Sequence, residues 1–391
     1  MYKVITYSIL LLVGLVLSQF LPTVFEGYAS VQPVILVLTM VALSYIMINV
    51  GREFEIDKSN LKKYGWDYVV AMTTATFPWI GVVLYFVFVL FPPSMWADGD
   101  VWKELFIIGR FAAPTSAGVL FAMLAAAGLG ATWVFAKARV LAIFDDLDTV
   151  LLMIPLTILV MGWNPMMGVA LLLMIVMLAA GYKYLHRWEI PSSATMIIAY
   201  SLLITFVCEL FYLKSGVHFE VLLPAFVLGC LMKSQHESKK DEKVSTTIAA
   251  SFMVLVGLSL PLIFGEVTPI LDTESVTAAM DPIGTREIIK HVLAITIIAN
   301  VAKMFPLFCY RKEASIKERL ALSLAMCPRG EVGAGVIMIS LGYGMGGPII
   351  TIAMLALALN LMMTGGFIMA VRKLIEPQTE TMPLKPIQSQ V

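Results

Sequence analysis

The chain has 391 residues, 59% of them hydrophobic and 14% charged, with a mean hydropathy of +0.88. Soluble domains carry about 25% charged residues, so this composition excludes a soluble enzyme or binding module and predicts an all-α, polytopic membrane protein. Basic and acidic residues balance at 27 each, and where they sit says more than their sum.

Apolar runs long enough to cross a bilayer predict about twelve spans: 4–21, 31–50, 66–91, 105–127, 133–161, 166–184, 193–213, 217–232, 244–264, 288–310, 316–341 and 348–371. The first, behind Met1-Tyr2-Lys3, reads as a retained helix, because Gln19-Phe20-Leu21-Pro22 offers no small-residue cleavage site. Basic residues gather in alternate connections: Arg52, Lys58, Lys62 and Lys63, then Lys137 and Arg139, Lys183 and Arg187, Lys233 to Lys243, Arg311 to Arg319, and Arg372 and Lys373. The intervening connections are acidic or bare, with Glu26, Asp98, Asp100, Glu266, Asp272, Glu274 and Asp281. The positive-inside rule then puts both termini in the cytoplasm. Residues 1–374 form one transmembrane domain, and 375–391, with Pro377, Pro383 and Pro386, a short mobile tail.

Span four is interrupted by Arg110-Phe111-Ala112-Ala113-Pro114-Thr115-Ser116-Ala117-Gly118. A proline with polar neighbours and glycine at mid-membrane frees backbone groups, which is tolerated only where the chain is buried in protein or lines a cavity. Span five carries Phe144-Asp145-Asp146-Leu147-Asp148. Each ionised carboxylate at that depth costs about 2.5–3.5 kcal/mol on insertion scales, so three of them point to cation binding, proton exchange or both. Asp145 and Asp146 diverge by about 100° around the helix, so one can face a partner and the other a water-filled funnel.

Lys303 in span ten precedes Arg311 by eight residues, about 12 Å of helix, while Asp145 follows Arg139 by six, about 9 Å. The two lie at similar depth, and each is the other's most economical partner. Span eleven is interrupted by Cys327-Pro328-Arg329-Gly330-Glu331-Val332-Gly333. Spans four and eleven run in opposite directions, so spans three to five and ten to twelve read as inverted repeats with broken middle helices, the sequence pointer to a midplane transport site.

The remaining features are plainer. Four histidines are scattered without ligand spacing, and four cysteines form no CxxC and lie in apolar runs, so neither metal ligation nor a disulfide is expected. Twenty-five methionines read as packing filler. There is no P-loop, dinucleotide or nucleic-acid motif, so no cofactor, nucleotide or nucleic-acid partner is expected.

Phe144-Asp145-Asp146, Thr115-Ser116, Lys303 and Pro328-Arg329-Gly330-Glu331-Val332, with Gly51-Arg52-Glu53 and Ala225-Phe226-Val227-Leu228-Gly229, resemble the monovalent cation:proton antiporters of the sodium/proton exchanger superfamily, NhaA-type fold. The resemblance implies a secondary transporter, not an enzyme, exchanging a cation, with Na+ ahead of Li+ or K+, for protons. It implies a core of 66–161 and 288–371, scaffold helices that form a homodimer, a bacterial inner membrane and a role in pH homeostasis. Asp146 matches the family's ion- and proton-carrying carboxylate, Asp145 the preceding position and Lys303 its basic partner. Together the last two imply electrogenic exchange, about two protons per sodium. Thr115 and Ser116 offer oxygens to the ion, while Arg329 and Glu331 stabilise the crossing.

Two residues depart from the pattern. Asp148 either adds a ligand or shifts the register of the pair. Arg110 takes a structural role, with Glu209 or Asp148 as its partner. The alternative is a sodium-coupled organic-anion symporter on the same fold, with Arg110 or Arg329 as counter-charge. An intramembrane aspartyl protease is disfavoured, because all three acids lie on one helix.

Overall fold

The computed structural model describes residues 2–24, 27–52, 61–161, 165–215, 221–233, 239–259 and 275–379; the side chains of Asp146 and Glu331 lie outside the described residues. The described chain is all-helical, from α1 (Tyr2–Val24), α2 (Tyr28–Arg52) and α3 (Leu61–Tyr85) to α14 (Gly347–Thr379). Its one extended pairing is a bridge between Trp188 and Met232. In a bilayer only such self-satisfied backbone can meet lipid.

Among the described residues, seven segments are able by length and composition to cross a membrane: α1, α2, α3 with its π-helical end, α4 (Gly99–Gly109) together with α5 (Ala117–Ala126), α8 (Ala194–Ser215), α11 (Thr285–Ala302) with the turn after it, and α14. Each of the twelve expected spans is helical over part of its length, but α9 (Leu222–Leu231) is a short apolar helix, as is the Gly168–Lys183 stretch of α7 (Pro165–Lys183). The helix of span five, α6 (Trp133–Met161), is 29 residues long and carries the three acids. The last helix runs through Thr379, past the 374 boundary expected for the membrane domain, and residues 380–391 lie outside the described residues.

Burial separates an inner from an outer layer. In the α4–α5 segment 94% of the most apolar window is buried, against 22% in α8, whose Leu202, Leu203, Phe206 and Val207 point outward. The α4–α5 segment is therefore the centre of the molecule and α8 lies at its periphery. Neighbours of the inner segment are α3, α6, α13 (Glu331–Gly342) and α14, with α1 and α2 against its α5 half.

The outer helices are joined by glycine crossings. A Cβ at Gly51 would collide with Phe226 O, and one at Gly229 with Ile48 O, so α2 and α9 touch backbone to backbone. Gly14 and Gly257 make the same kind of contact between α1 and α10 (Lys239–Leu258). Gly229→Val is expected to lower the thermal unfolding temperature in detergent, losing on the order of 2 kcal/mol. Gly65→Ala, where no atom lies within 4 Å of the added carbon, is the control. Equal melting of both variants would show that the crossing yields.

Candidate ion site at the crossing of two broken helices

Span four breaks in steps. The helix α4 gives way to a 3-10 turn at Arg110–Ala112, and the chain then runs open through Ala113 to Ser116 before α5 begins. Pro114 has no N–H to continue the ladder. Ser116 starts the next helix as its N-cap, its Oγ accepting from Val119 N at 3.4 Å. Span eleven breaks likewise between α12 (Ile316–Ala325) and α13, over Met326 to Gly330 around Pro328.

The two breaks meet. Ser116 N donates to Pro328 O at 2.9 Å, Thr115 Oγ1 donates to Met326 O at 3.0 Å, and Arg329 Nε donates to Ala112 O at 2.8 Å. Donors of one interruption, main-chain and side-chain, thus satisfy carbonyls freed by the other, which lets both be tolerated in a buried interior.

Asp145 and Asp148 of α6 face this crossing. Lys303 Nζ lies 2.9 Å from Asp145 Oδ2, both side chains fully buried, and also donates to Thr115 Oγ1 at 2.9 Å. Thr115 N donates to the same carboxylate oxygen at 2.9 Å. The structure therefore brings Asp145, Lys303 and Thr115 together. Lys303 reaches this point because its helix stops early. Span ten was expected to continue to 310, but α11 ends at Ala302, Lys303 is its C-cap, and a 3-10 turn spans Phe305–Phe308. Pro306 is the cause: its ring clashes with the carbonyl four residues back.

Arg110 pairs with Asp148, not Glu209. Its Nη2 lies 3.5 Å from Asp148 Oδ2 and donates to Asp148 O at 3.0 Å, and its guanidinium carbon is 4.7 Å from the Trp79 ring centre. The pair is buried at 0% and 3% side-chain exposure. Asp146 lies between Asp145 and Asp148 on the helical backbone of α6. Glu331 opens α13.

Arg329 is buried and holds neutral acceptors. Besides Ala112 O, its guanidinium donates to Ala299 O and Asn300 Oδ1, each at 3.0 Å, and its backbone N donates to Asn360 Oδ1 at 2.9 Å. Asn360 Nδ2 in turn donates to Asn300 Oδ1 at 3.1 Å. Sequence reasoning missed both asparagines, although lone amides in spans ten and twelve were the available signal.

It also missed a second buried charge cluster. Lys137 is buried and lies 2.9 Å from Asp67 Oδ1 and 3.4 Å from Glu313 Oε2. Tyr310, with φ +55°, donates to Asp67 Oδ1 at 2.7 Å. Lys137 had been counted only as a topological marker; Asp67, at the mouth of span three, was the overlooked partner. All four cysteines are buried thiols, and no group of three or more metal-ligating side chains occurs among the described residues.

This architecture is matched elsewhere. The solved structure of the sodium proton antiporter MjNhaP1 from Methanocaldococcus jannaschii at pH 8 aligns over 92% of both chains with a TM-score of 0.55, at 16% identity. That identity establishes a common fold alone. No curated protein matches the chain. The family model described as "Sodium/hydrogen exchanger, transmembrane" matches residues 2–371. With nearly its whole length covered, the chain belongs to the sodium/hydrogen exchanger family, a family of multi-pass membrane transporters that exchange cations for protons.

Proposed function

We propose that the protein exchanges a monovalent cation, sodium first, for protons by electrogenic alternating access, with Asp146 as the principal carrier and Asp145 and Thr115 as the other ligands. The observation that carries this reading is the buried Lys303–Asp145 pair at the crossing of the two breaks. A cation that binds Asp145 must displace Lys303. The ammonium is then a buried charge without its carboxylate, and releasing its proton removes that cost. With the proton displaced from Asp146, about two protons leave per cation, and each cycle moves charge.

The moving unit is the core of 66–161 and 288–371, which carries the inverted repeats, and the remaining helices form the scaffold of a homodimer. We place the protein in a bacterial inner membrane with both termini in the cytoplasm and assign it to pH homeostasis. A symporter of organic anions would need an arginine as counter-charge. Arg110 is engaged by Asp148 and Arg329 by carbonyls and Asn300, which disfavours that reading.

The test uses proteoliposomes with an imposed pH gradient, wild type beside Asp146→Asn, given sodium, lithium or potassium in turn. Wild type is expected to collapse the gradient with at least one cation, and Asp146→Asn to lose at least about 100-fold of that rate. Repeating the assay with the membrane potential clamped measures the charge moved. No collapse with any cation across a range of pH would overturn the reading.

A further inference from the structure

The Asp145–Lys303 pair has a neighbour of the same kind one helical turn away. Asp145 and Asp148 are three residues apart on α6 and so share a face. Each meets a base from a different element: Lys303 from the end of α11, and Arg110 from the 3-10 turn that begins the break after α4. Both pairs are sealed from solvent, with Arg110 at 0% and Asp148 at 3% side-chain exposure.

The two bases differ in one decisive property. A lysine can give up its proton inside a protein; an arginine stays charged. Lys303 can therefore leave Asp145 as the charge of the site changes, whereas Arg110 remains a cation throughout. Its hydrogen bonding is also sparse. Arg329 hands its guanidinium protons to Ala112 O, Ala299 O and Asn300 Oδ1. Arg110 uses Nη2 alone, on the main-chain oxygen of Asp148, while its Nε and Nη1 have no hydrogen-bond partner among the described residues and Trp79 covers the group. Arg329 acts through hydrogen bonds and Arg110 mainly through charge.

We propose that Arg110 and Asp148 are a positioning pair: Arg110 holds Asp148 as a permanently compensated carboxylate, keeps it out of cation binding, and fixes the break after α4 on α6 so that Thr115 N stays on Asp145. The inference rests on the antiport reading and narrows it, since only Asp146 and Asp145 then serve as acidic ligands. It also accounts for a third acid within four residues that does not enlarge the ion site. The carboxylate is the anchor for the arginine, whose backbone hydrogen bond to α6 needs a neutral pair to survive when both side chains are buried.

A double-mutant cycle tests this. The apparent KM for sodium is measured in proteoliposomes at fixed pH for wild type, Asp148→Asn, Arg110→Gln and the double variant. Asp148→Asn leaves a bare guanidinium one turn from the ion ligands and is expected to raise KM about tenfold or more. Arg110→Gln leaves a bare carboxylate there, so KM should fall while turnover slows. The double variant, neutral again, should return to within about threefold of wild type. Opposite signs in the two single variants are what a merely structural loss would not produce.

A double variant as impaired as Asp148→Asn would overturn the proposal and make Asp148 a ligand or proton carrier. Four indistinguishable proteins would overturn it too. Where a single variant does not fold, the double decides: folded and transporting, it supports the pair; otherwise it refutes it. Should wild type show no cation-dependent proton flux, the antiport reading fails separately. The cycle is then read on melting temperature, where lower values for both single variants and recovery in the double support the pairing, and additive losses refute it.

Discussion

Arg329→Ala is expected to be the most damaging single substitution in the core, costing on the order of 4 kcal/mol or more. Arg329 is buried, and its removal strips donors from Ala112 O, Ala299 O and Asn300 Oδ1 at once. Ala112 O then loses its donor, at about 1–3 kcal/mol, Ala299 O keeps only Lys303 N and Asn300 Oδ1 only Asn360 Nδ2, and the missing side chain adds a cavity. The three acceptors belong to the break after α4 and to α11, so the loss falls where those elements meet. Lysine cannot substitute, because one ammonium cannot reach acceptors that a planar guanidinium holds in fixed directions. Thermal unfolding in detergent of wild type, Arg329→Lys and Arg329→Ala should give that order. If Arg329→Ala melted within about 2 °C of wild type, Arg329 would not be holding the crossing.

Lys303→Met comes second, at about 3–5 kcal/mol, because it leaves Asp145 as a buried carboxylate without its base. The lysine contacts Asp145 and Thr115 together, both at 2.9 Å. Lys303→Met with Asp145→Asn should regain most of the stability, since the cost lies in the unmatched charge rather than in the packing. Melting curves of the single and double variants check this, and a double no better than the single would refute it. Any transport that survives in the double variant should respond less to membrane potential than wild type, because Lys303 no longer contributes a proton.

Much of this site was legible in the sequence because its parts are costly. Three carboxylates and a lysine inside apolar runs declare themselves, and helix rise alone placed Asp145 opposite Lys303. Pro114 and Pro328 marked both interruptions for the same reason: a proline cannot continue a helix. Depth does not give azimuth, however, so it left Arg110 equally close to Glu209 and Asp148 until the rotation of α6 was seen. The early end of α11 was written in Pro306, but an otherwise apolar run concealed it. The partners of Arg329 were the least readable, because main-chain oxygens of Ala112 and Ala299 exist at every residue and leave no compositional trace. Asp67 and Lys137 escaped notice by lying near helix ends, where charges ordinarily meet water, yet they are buried against each other.

The hydrogen bond from Ser116 N to Pro328 O has a consequence for how such a protein can change over time. This link between the two interruptions runs through main-chain atoms, which no substitution other than proline at 116 removes. The side chains next to it, Thr115 bonded to Met326 O and Lys303, and Ser116 capping α5, can therefore change without cutting that link, at the cost of their own bonds. If Thr115 and Ser116 hold the ion as proposed, a lineage, or a designer building a library at the two positions, can sample different oxygen donors for different alkali ions while that link persists. Preference among cargoes becomes an adjustable trait carried on an inherited frame.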